Sequence, residues 1–340
     1  MQKNKVTMHD IGRETGLSVS TVSRALDDSE LVSKTAKVKV GEAAARLGYL
    51  RRTVKRPQSR SIKTIRLFIP ASKDPYVHMF YNVASLIVGI RKGFGDGHLN
   101  IIISVNDGTE ASFTAKKATP IDGAIFAFTE ANDRVYAKYE SLNIPMIHIN
   151  RIRHDRNYIA VDNYLGMETL LRKVCEHRTK IKPCYIGFSP ISYISEERRV
   201  GLLGSASKMG LLFGRDDCFT FETIREIDER LVAKLVALGY NAFFCFNDLI
   251  AVHVFNRALR DGFEIPRDFS LTGFDNSPIL DLAAKRIDTI DFPIFDLGNY
   301  AGSWMKQRLI DRSKDAMRIT LAGNYICGET IALEHGAAGL

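Results

Sequence analysis

The sequence predicts an all-α headpiece followed by a larger α/β part with two lobes, each built on a doubly wound parallel sheet. Short helical segments joined by a tight turn occupy residues 7–49, and apolar strands alternate with amphipathic helices over most of the remaining chain. This alternation is typical of parallel sheets covered by helices on both faces. The alternating stretch is too long for one sheet of ordinary size, so two lobes with a cleft between them are expected.

The first helix of the headpiece is predicted to begin after Thr7. A Thr followed three residues later by an acidic residue, here Asp10, favours a capped helix start. Gly16 lies where a turn between helices needs a permissive backbone, and Ser18 can cap the second helix. A third helix is expected to follow Ser33. The segment is therefore predicted to fold as a helix-turn-helix.

The second helix has a small, polar and basic face. Val22 and Leu26 lie four residues apart and are predicted to form its buried stripe. Ser20 and Arg24 lie one turn apart on the outward face, at reaching distance for base edges in a DNA groove. Arg24 suits a bidentate contact with guanine, while the neighbouring hydroxyl groups suit phosphate oxygens.

The positive charge is concentrated in the same region. The chain carries +8 overall, but residues 1–66 hold 15 Lys and Arg against 6 Asp and Glu, which leaves the remainder close to neutral. This uneven distribution predicts a polyanionic partner for the first fifth of the chain. Together with the outward face of the second helix, it favours double-stranded DNA.

A basic linker is predicted at residues 50–63, between the headpiece at 1–49 and the α/β part at 64–340. It is rich in Lys and Arg and poor in large apolar residues, so we expect it to be ordered by its partner. Headpiece and linker together supply the residues predicted to contact DNA: Thr7, Ser18, Val19, Ser20, Thr21, Ser23, Arg24, Ser33, Arg51, Arg52, Lys55 and Arg56.

The elements of the α/β part are predicted from its apolar runs. Strands are predicted at 65–69, 99–105, 122–128, 145–149, 184–188, 242–246 and 269–274. Helices are predicted at 79–94, 131–142, 163–176, 196–210, 224–238 and 248–261. Trp304, in a C-terminal helix, and His148, on a strand, are interpreted as core residues.

Several polar residues lie where strands end, which is where ligands bind in open α/β sheets. Asn247 and Asp275 each follow a predicted strand, Asp162 follows the apolar run Ile159-Ala160-Val161, and Arg198 opens a helix after another strand and loop. A guanidinium, an amide and carboxylates can together bind a neutral polar ligand. Taken singly, Asn247 and Asp275 could instead be helix caps.

Here the residues match a known family. The segment from Val6 to Tyr49 closely resembles the headpiece of LacI/GalR-type bacterial repressors, most specifically in the tract S-V-S-T-V-S-R at 18–24 and the later L-G-Y at 47–49. The resemblance continues to the end of the chain through short landmarks in the family's order, among them Asn247-Asp248 and Gly273-Phe274-Asp275-Asn276.

The resemblance implies a homodimeric transcriptional regulator, not an enzyme, that represses by binding a near-palindromic operator. It also implies a small-molecule effector, by family habit a sugar or sugar derivative rather than a purine, held between two lobes of the type I periplasmic-binding-protein-like fold. These lobes would span approximately 64–159 with 291–318, and 160–290 with 319–340. The implied effector contacts are Asp162, Arg198, Asn247 and Asp275, with Phe219 or Phe221 as an aromatic wall.

The linker departs from the family pattern. Relatives usually form a hinge helix there and insert a Leu into the minor groove. Gln58 stands at the position of that Leu in this chain, and Pro57 before it would disrupt the helix. We expect the basic residues of the linker to hold it to DNA electrostatically, which predicts a steep dependence of binding on salt.

Other classes of function find little support in the sequence. The five Cys are far apart and no His cluster has metal spacing, so no metal is expected and the thiols are expected to be reduced. No dinucleotide or phosphate loop follows a strand, which disfavours a nucleotide-dependent enzyme and predicts no cofactor. A solute-binding transport component is the alternative for the lobes, but the headpiece and the missing signal peptide favour a cytoplasmic protein without a membrane segment.

Overall fold

The computed structural model describes residues 6–26, 29, 31–49, 62–71, 82–95, 99–109, 120–227 and 229–331. These residues form two compact units, which divide between Ser61 and Ile62. The first unit contains the headpiece and the second contains the α/β part. No helix in the described part of the chain is long and apolar enough to cross a membrane.

The described part of the first unit contains three helices, α1 (Met8–Thr15), α2 (Val19–Leu26) and α3 (Lys34–Arg46). Their small core is formed by Ile11, Val22, Ala25, Val40, Ala43 and Ala44. The predicted buried stripe of α2 is therefore wrong in one residue. Ala25, three residues after Val22, is buried, whereas Leu26 is only partly buried at the edge of this core. Gly16 ends α1 in the left-handed conformation, with φ 71°, as the predicted turn requires.

A six-stranded parallel sheet forms the first lobe of the second unit, in the order β11-β5-β4-β3-β1-β2. Its strands are β1 (Lys63–Pro70), β2 (Leu99–Asn106), β3 (Gly123–Ala127), β4 (Met146–Ile149), β5 (Tyr158–Val161) and β11 (Arg318–Leu321). The helices of this lobe are α4 (Val83–Phe94), α5 (Asp133–Ser141) and α10 (Ile294–Leu309).

The helices α4 and α10 approach each other through glycines on both sides. A Cβ atom at Gly89 or Gly93 would overlap the backbone of α10, and one at Gly298 or Gly302 would overlap the backbone of α4. Gly93 belongs to a glycine-rich stretch at the end of α4 that does not follow a strand. Gly93 therefore serves the close packing of α4 against α10.

A four-stranded parallel sheet forms the second lobe, in the order β7-β6-β8-β9. Its strands are β6 (Pro183–Phe188), β7 (Cys218–Phe221), β8 (Ala242–Cys245) and β9 (Ser270–Thr272). The helices are α6 (Asn163–His177), α7 (Ser192–Lys208), α8 (Glu229–Ala237) and α9 (Asp248–Arg260). A short antiparallel pair, β10 (Thr289–Ile290) with β12 (Tyr325–Ile326), adds to this lobe.

The chain passes between the lobes three times, after β5, after β10 and after β11. Asp162 N, in the crossing after β5, donates to Leu321 O at the end of β11, at 2.9 Å. Asp291 N, in the crossing after β10, donates to Asn324 O in the crossing after β11, at 2.7 Å. The predicted lobe boundaries assign residues 160–161 and 319–321 to the second lobe, which is wrong. These residues belong to β5 and β11 in the sheet of the first lobe. The alternation of strands and helices along the sequence does not reveal which sheet a four-residue strand joins.

Every strand predicted in the α/β part is present to within a few residues. Five short strands, β5, β7, β10, β11 and β12, are not among the predicted ones, because two to four residues carry almost no pattern. The helix predicted from 224 begins only at Glu229. Trp304 and His148 are both core residues, at 2 % and 0 % exposed. Burial lowers the pKa of His148 to about 4, so this ring is neutral at physiological pH.

Candidate DNA-contacting face and effector cleft

The outward face of α2 has the arrangement that the sequence predicts. Ser20 and Arg24 are exposed, and Val19, Thr21 and Ser23 are partly buried beside them. Ser18 caps the helix, because its Oγ accepts a hydrogen bond from Thr21 N at 3.1 Å. The α2 face therefore presents short hydroxyl groups around one long guanidinium, which is the mixture suited to phosphates and a base edge.

Thr7 and Ser33, at the starts of α1 and α3, differ in the hydrogen bonds that their hydroxyl groups make. Ser33 is exposed and its Oγ accepts from Ala36 N at 3.3 Å. Thr7 donates from both its backbone N–H and its hydroxyl to Asp10 Oδ2, at 2.8 and 2.7 Å. These bonds lower the pKa of the Asp10 carboxyl and occupy both donors of Thr7. A phosphate contact by Thr7 would have to displace Asp10.

The linker residues predicted to contact DNA are outside the described residues. They are Arg51, Arg52, Lys55 and Arg56, and the atypical hinge positions Pro57 and Gln58 lie there too.

Arg198 is the centre of the polar cluster in the second unit. Its side chain is 2 % exposed and donates to three acceptors: Asn163 Oδ1 at 3.0 Å, Phe246 O at 2.6 Å and Asp275 Oδ1 at 2.7 Å. Its guanidinium carbon lies 3.7 Å from the ring centroid of Phe274 and 5.1 Å from that of Phe246. Two aromatic faces and three acceptors fix the orientation of this cation.

Asp275 lies at the carboxyl end of β9 with a left-handed backbone, φ 105°. Burial raises the pKa of its carboxyl to about 6, while the Arg198 guanidinium and a hydrogen bond from Asn247 oppose that rise. The backbone of Asp275 is bound to the crossing segment, since its N–H donates to Ile290 O at 2.8 Å. The residue that carries this carboxylate is therefore hydrogen-bonded through its backbone to β10, which leads into the connection between the lobes.

Asn247 and Asp162 are helix caps at the carboxyl ends of strands in different sheets, Asn247 after β8 of the second lobe and Asp162 after β5 of the first. Asn247 Oδ1 accepts from Ile250 N at 3.1 Å at the start of α9, and Asp162 Oδ1 accepts from Leu165 N at 2.9 Å at the start of α6. The capping role considered for Asn247 is thus real, and the same side chain also bonds to Asp275. Each of these two residues still has polar atoms beyond the bond that caps its helix.

Two acidic residues of this cluster were missed by the sequence analysis. Glu197 Oε2 accepts from Asn163 Nδ2 at 2.6 Å, and burial raises the pKa of its carboxyl. Asp248, fully buried, accepts from Thr289 Oγ1 and from Ser277 N, both at 2.6 Å. Burial and the nearby Asp275 raise the pKa of Asp248 well above its usual range. Nothing in the spacing of these residues along the chain indicates these contacts.

The structure separates the two aromatic candidates. Both lie on β7, but Phe221 is its last residue, at the carboxyl end where Ser189 Oγ donates to Phe221 O at 3.2 Å. Phe219 lies two residues earlier, and its ring packs edge-on against Tyr240, with centroids 5.7 Å apart. Phe221 is therefore at the same edge of the sheet as Asn247 and Asp275, whereas Phe219 is part of the packing behind it.

A direct contact joins the two lobes beside this cluster. Tyr193 of α7 accepts a hydrogen bond from Ile152 N at 3.0 Å and donates to Ile152 O at 3.3 Å. Arg151 lies over the same ring, with its guanidinium carbon 4.7 Å from the centroid. Arg151 also lies 3.9 Å from Glu130, which follows β3. The β4–β5 loop of the first lobe is thus bound to the first turn of a second-lobe helix.

No group of His, Cys, Asp and Glu within the described ranges has an arrangement that could hold a metal ion. The cluster instead offers one cation, several carboxylates and amides, and flanking aromatic rings. This chemistry suits the recognition of hydroxyl or amide groups on a neutral ligand.

Comparisons with known proteins agree with the two-part architecture. Residues 7–52 match the family described as bacterial regulatory proteins, lacI family, and residues 185–331 match the periplasmic binding protein-like domain. The HTH-type transcriptional repressor CytR of Escherichia coli is 27 % identical over 319 residues, which cover 88 % of this chain and 89 % of CytR.

Two solved structures have the same fold. A lac repressor dimer bound to operator and the anti-inducer ONPF has a TM-score of 0.64 at 17 % identity, covering 97 % of this chain and 100 % of that one. The complex of the transcriptional regulator CelR with cellobiose has a TM-score of 0.65 at 17 % identity, covering 96 % and 99 %. With its lacI-family headpiece and periplasmic-binding-protein-like lobes in this order, the chain is a DNA-binding transcriptional regulator of the lacI family.

Proposed function

We propose that the protein is a repressor whose headpieces bind a near-palindromic operator and whose operator affinity is changed by a sugar or sugar derivative held between the two lobes. The observation that carries this proposal is the buried Arg198, fixed by Asn163 and Asp275 at the edge where the strands of the second sheet end. Such a preorganised cation and carboxylate pair can bind adjacent hydroxyl groups without reordering side chains.

The operator part of the proposal rests on the exposed face of α2. Arg24 reads a base and Ser20 lies beside it, while Ser18, Thr21, Ser23 and Ser33 position the helix on phosphates. The similar lac repressor structure is a dimer bound to operator, which supports a paired arrangement for this chain. A regulator that acts on chromosomal DNA is expected in the cytoplasm.

A homodimer is supported by an apolar surface on the first lobe. Val88 on α4 and Ile103 and Val105 on the edge strand β2 are 57 %, 48 % and 53 % exposed. Unpaired edge strands with exposed apolar side chains are typical of surfaces that a partner covers. Two copies paired in this way would present two headpieces to two operator half-sites.

The sugar part of the proposal rests on the composition of the cluster. Arg198, Asn247, Asp275 and Asp162 provide donors and acceptors, and Phe221 provides an apolar wall at the same edge. CelR, the similar protein solved with cellobiose, has a sugar as its ligand. Binding that changes the angle between the lobes would alter the spacing of the headpieces, and the coupling would be reciprocal between effector and operator.

Two experiments test the proposal. Fluorescence anisotropy with DNA from upstream of the protein's own gene should give sequence-specific binding at low salt; binding equal to that of random DNA would refute the operator part. Thermal-shift screening of sugars, sugar phosphates and nucleobases should identify a stabilising sugar whose effect is lost in Asp275→Asn. Phe221→Ala should weaken it and Phe219→Ala, a matched loss on the same strand, should not. Stabilisation by a nucleobase alone would replace the sugar with a purine.

A further inference from the structure

A cavity lies in the first lobe, away from the proposed effector cleft around Arg198. It has a volume of about 500 Å³ and lies between the end of α10 and the loops that lead into β4 and β5. Met146, the first residue of β4, lines it, whereas the effector cleft lies beyond the carboxyl ends of the strands. The cavity is therefore at the opposite edge of the sheet and belongs to a different site.

The lining of this cavity carries an excess of positive charge. Arg156, Arg308, Arg312 and Lys314 face two acidic residues, Glu140 and Asp155. Both acids pair with the same cation, since Arg156 Nη1 lies 2.6 Å from Glu140 and Arg156 Nε lies 3.4 Å from Asp155. The other three basic residues have no carboxylate partner in the lining.

The three remaining basic groups are not used to satisfy the end of α10. Two of its last four carbonyls accept from the backbone, because Ile310 N donates to Lys306 O at 2.8 Å and Ser313 N donates to Gln307 O at 2.9 Å. Within the described residues the side chains of Arg312 and Lys314 make neither an ion pair nor a hydrogen bond. Capping of the helix therefore does not account for them.

Arg308 is held in place with part of its bonding capacity unused. Its Nη1 donates to Ser313 O at 2.9 Å, and its guanidinium carbon lies 4.9 Å from the ring centroid of Trp304. Its buried Nε has no hydrogen-bond partner. A guanidinium fixed by stacking and one hydrogen bond is preorganised to pair with an anion through its remaining N–H groups.

We propose that this cavity binds a small organic phosphomonoester. Its phosphate, which carries a charge of about −1.5 to −2 at neutral pH, matches the surplus of basic groups contributed by Arg308, Arg312 and Lys314. Its organic part lies against the apolar side of the cavity, formed by Ile144, Pro145 and Leu309. The volume is within the range of about 300–1,000 Å³ of small-molecule sites. The regulator would thus sense a phosphorylated metabolite at a site separate from its effector cleft.

Isothermal titration of the full-length protein with phenyl phosphate tests this site. We expect saturable binding to the wild type and an affinity at least about tenfold lower in the Arg312→Asn/Lys314→Gln double variant, for the loss of two charged contacts. Asn is chosen at position 312 because this residue has φ 58°, a conformation that Asn tolerates. Both positions are exposed, so the variant should fold.

Two controls make the test specific. The double variant Arg225→Gln/Lys234→Gln also removes two exposed positive charges and should bind phenyl phosphate as the wild type does. Asp275→Asn, which alters the effector cleft, should also leave this binding unchanged. The proposal is overturned if the wild type shows no saturable binding, if the two double variants weaken it equally, or if Asp275→Asn abolishes it.

Discussion

In the headpiece, Ser20 and Arg24 are exposed on α2 and are available to a partner, whereas in the effector cleft Arg198 is 2 % exposed and already bonded to three acceptors. Both regions use a guanidinium surrounded by small polar groups. The two regions differ in how far the surrounding residues bury the guanidinium and occupy its hydrogen-bond donors. The side chains on the α2 face are exposed to a partner, whereas the cluster around Arg198 satisfies most of its hydrogen bonds within the protein.

This difference predicts that Arg198 contributes mainly to the stability of the fold and Arg24 mainly to the affinity for DNA. Removal of a cation from a buried pair costs about 3–5 kcal/mol, because the remaining carboxylate is left without a partner. Arg198→Met, which keeps the volume, should therefore lower the free energy of unfolding of the second unit by roughly that amount. Urea denaturation followed by circular dichroism measures it.

The matched control is Arg267→Met. Arg267 also pairs with carboxylates, those of Glu264 and Asp268, but its side chain is 63 % exposed, so the change should be within about 1 kcal/mol. Equal losses in the two variants would mean that burial does not distinguish the cleft pair from an ordinary surface pair.

The pH dependence of stability sharpens the same comparison, because Asp275 is buried and its pKa is raised to about 6. A carboxyl whose pKa is higher in the folded state binds a proton on folding between its two pKa values. Its contribution to stability therefore falls as the pH rises from about 4 to about 6, and is constant above that. From the shift, the fall amounts to at most about 3 kcal/mol.

The difference in unfolding free energy between the wild type and Asp275→Asn reports this contribution together with the effect of the Asp275 charge on its neighbour Asp248, whose pKa that charge helps to raise. More distant carboxyl groups titrate alike in both proteins. We expect the wild type to lose stability relative to the variant between about pH 4 and pH 6. A difference that does not vary across this range would contradict the raised pKa of Asp275.

In contrast to Arg198, Arg24 should contribute to DNA binding and not to the free energy of unfolding. Its side chain is exposed, so Arg24→Ala should leave the free energy of unfolding unchanged, but it should cost about 1–3 kcal/mol of operator affinity and relax the preference at one base position. Fluorescence anisotropy against a set of operator variants measures both effects. Arg13 is an exposed basic residue on α1, and Arg13→Ala should change the affinity for all sequences by the same factor. Identical patterns for the two variants would argue against base reading by Arg24.

The same contrast explains how far sequence reasoning could go. The headpiece is short and its contacts are local, so caps at Thr7, Ser18 and Ser33 and the outward face of α2 were predictable from spacing alone. Only the choice of Ala25 rather than Leu26 for the core was missed, since it depends on how the three helices cross. The longer strands and helices of the lobes were predictable for the same local reason, whereas the strands of two to four residues, such as β7 and β11, were not.

The network of the cleft could be predicted only in part. Residues that follow strands were identifiable, which gave Asp162, Asn247 and Asp275. The bond between Asn163 and Glu197 joins α6 and α7 through residues that are 34 positions apart in the chain. Asp248 bonds to Thr289, which is 41 positions away. No periodicity encodes such contacts, because they depend on how helices pack across the sheet edge.

The contact between Tyr193 and the β4–β5 loop is where the smallest but most informative change is expected. Tyr193→Phe removes both hydrogen bonds to Ile152, at 3.0 and 3.3 Å, and keeps the ring under Arg151. A loss of about 1 kcal/mol would shift the balance between closed and open lobes about fivefold towards the open form. Small-angle X-ray scattering of the effector-free protein should then give a larger radius of gyration. Tyr240→Phe is the matched control, because its hydroxyl bonds to Asp217 within the second lobe alone, at 2.7 Å, and should leave the radius unchanged. A Tyr193→Phe variant as compact as this control would show that the contact accompanies lobe closure without stabilising it, and that the closed form depends on the buried pairs beneath it.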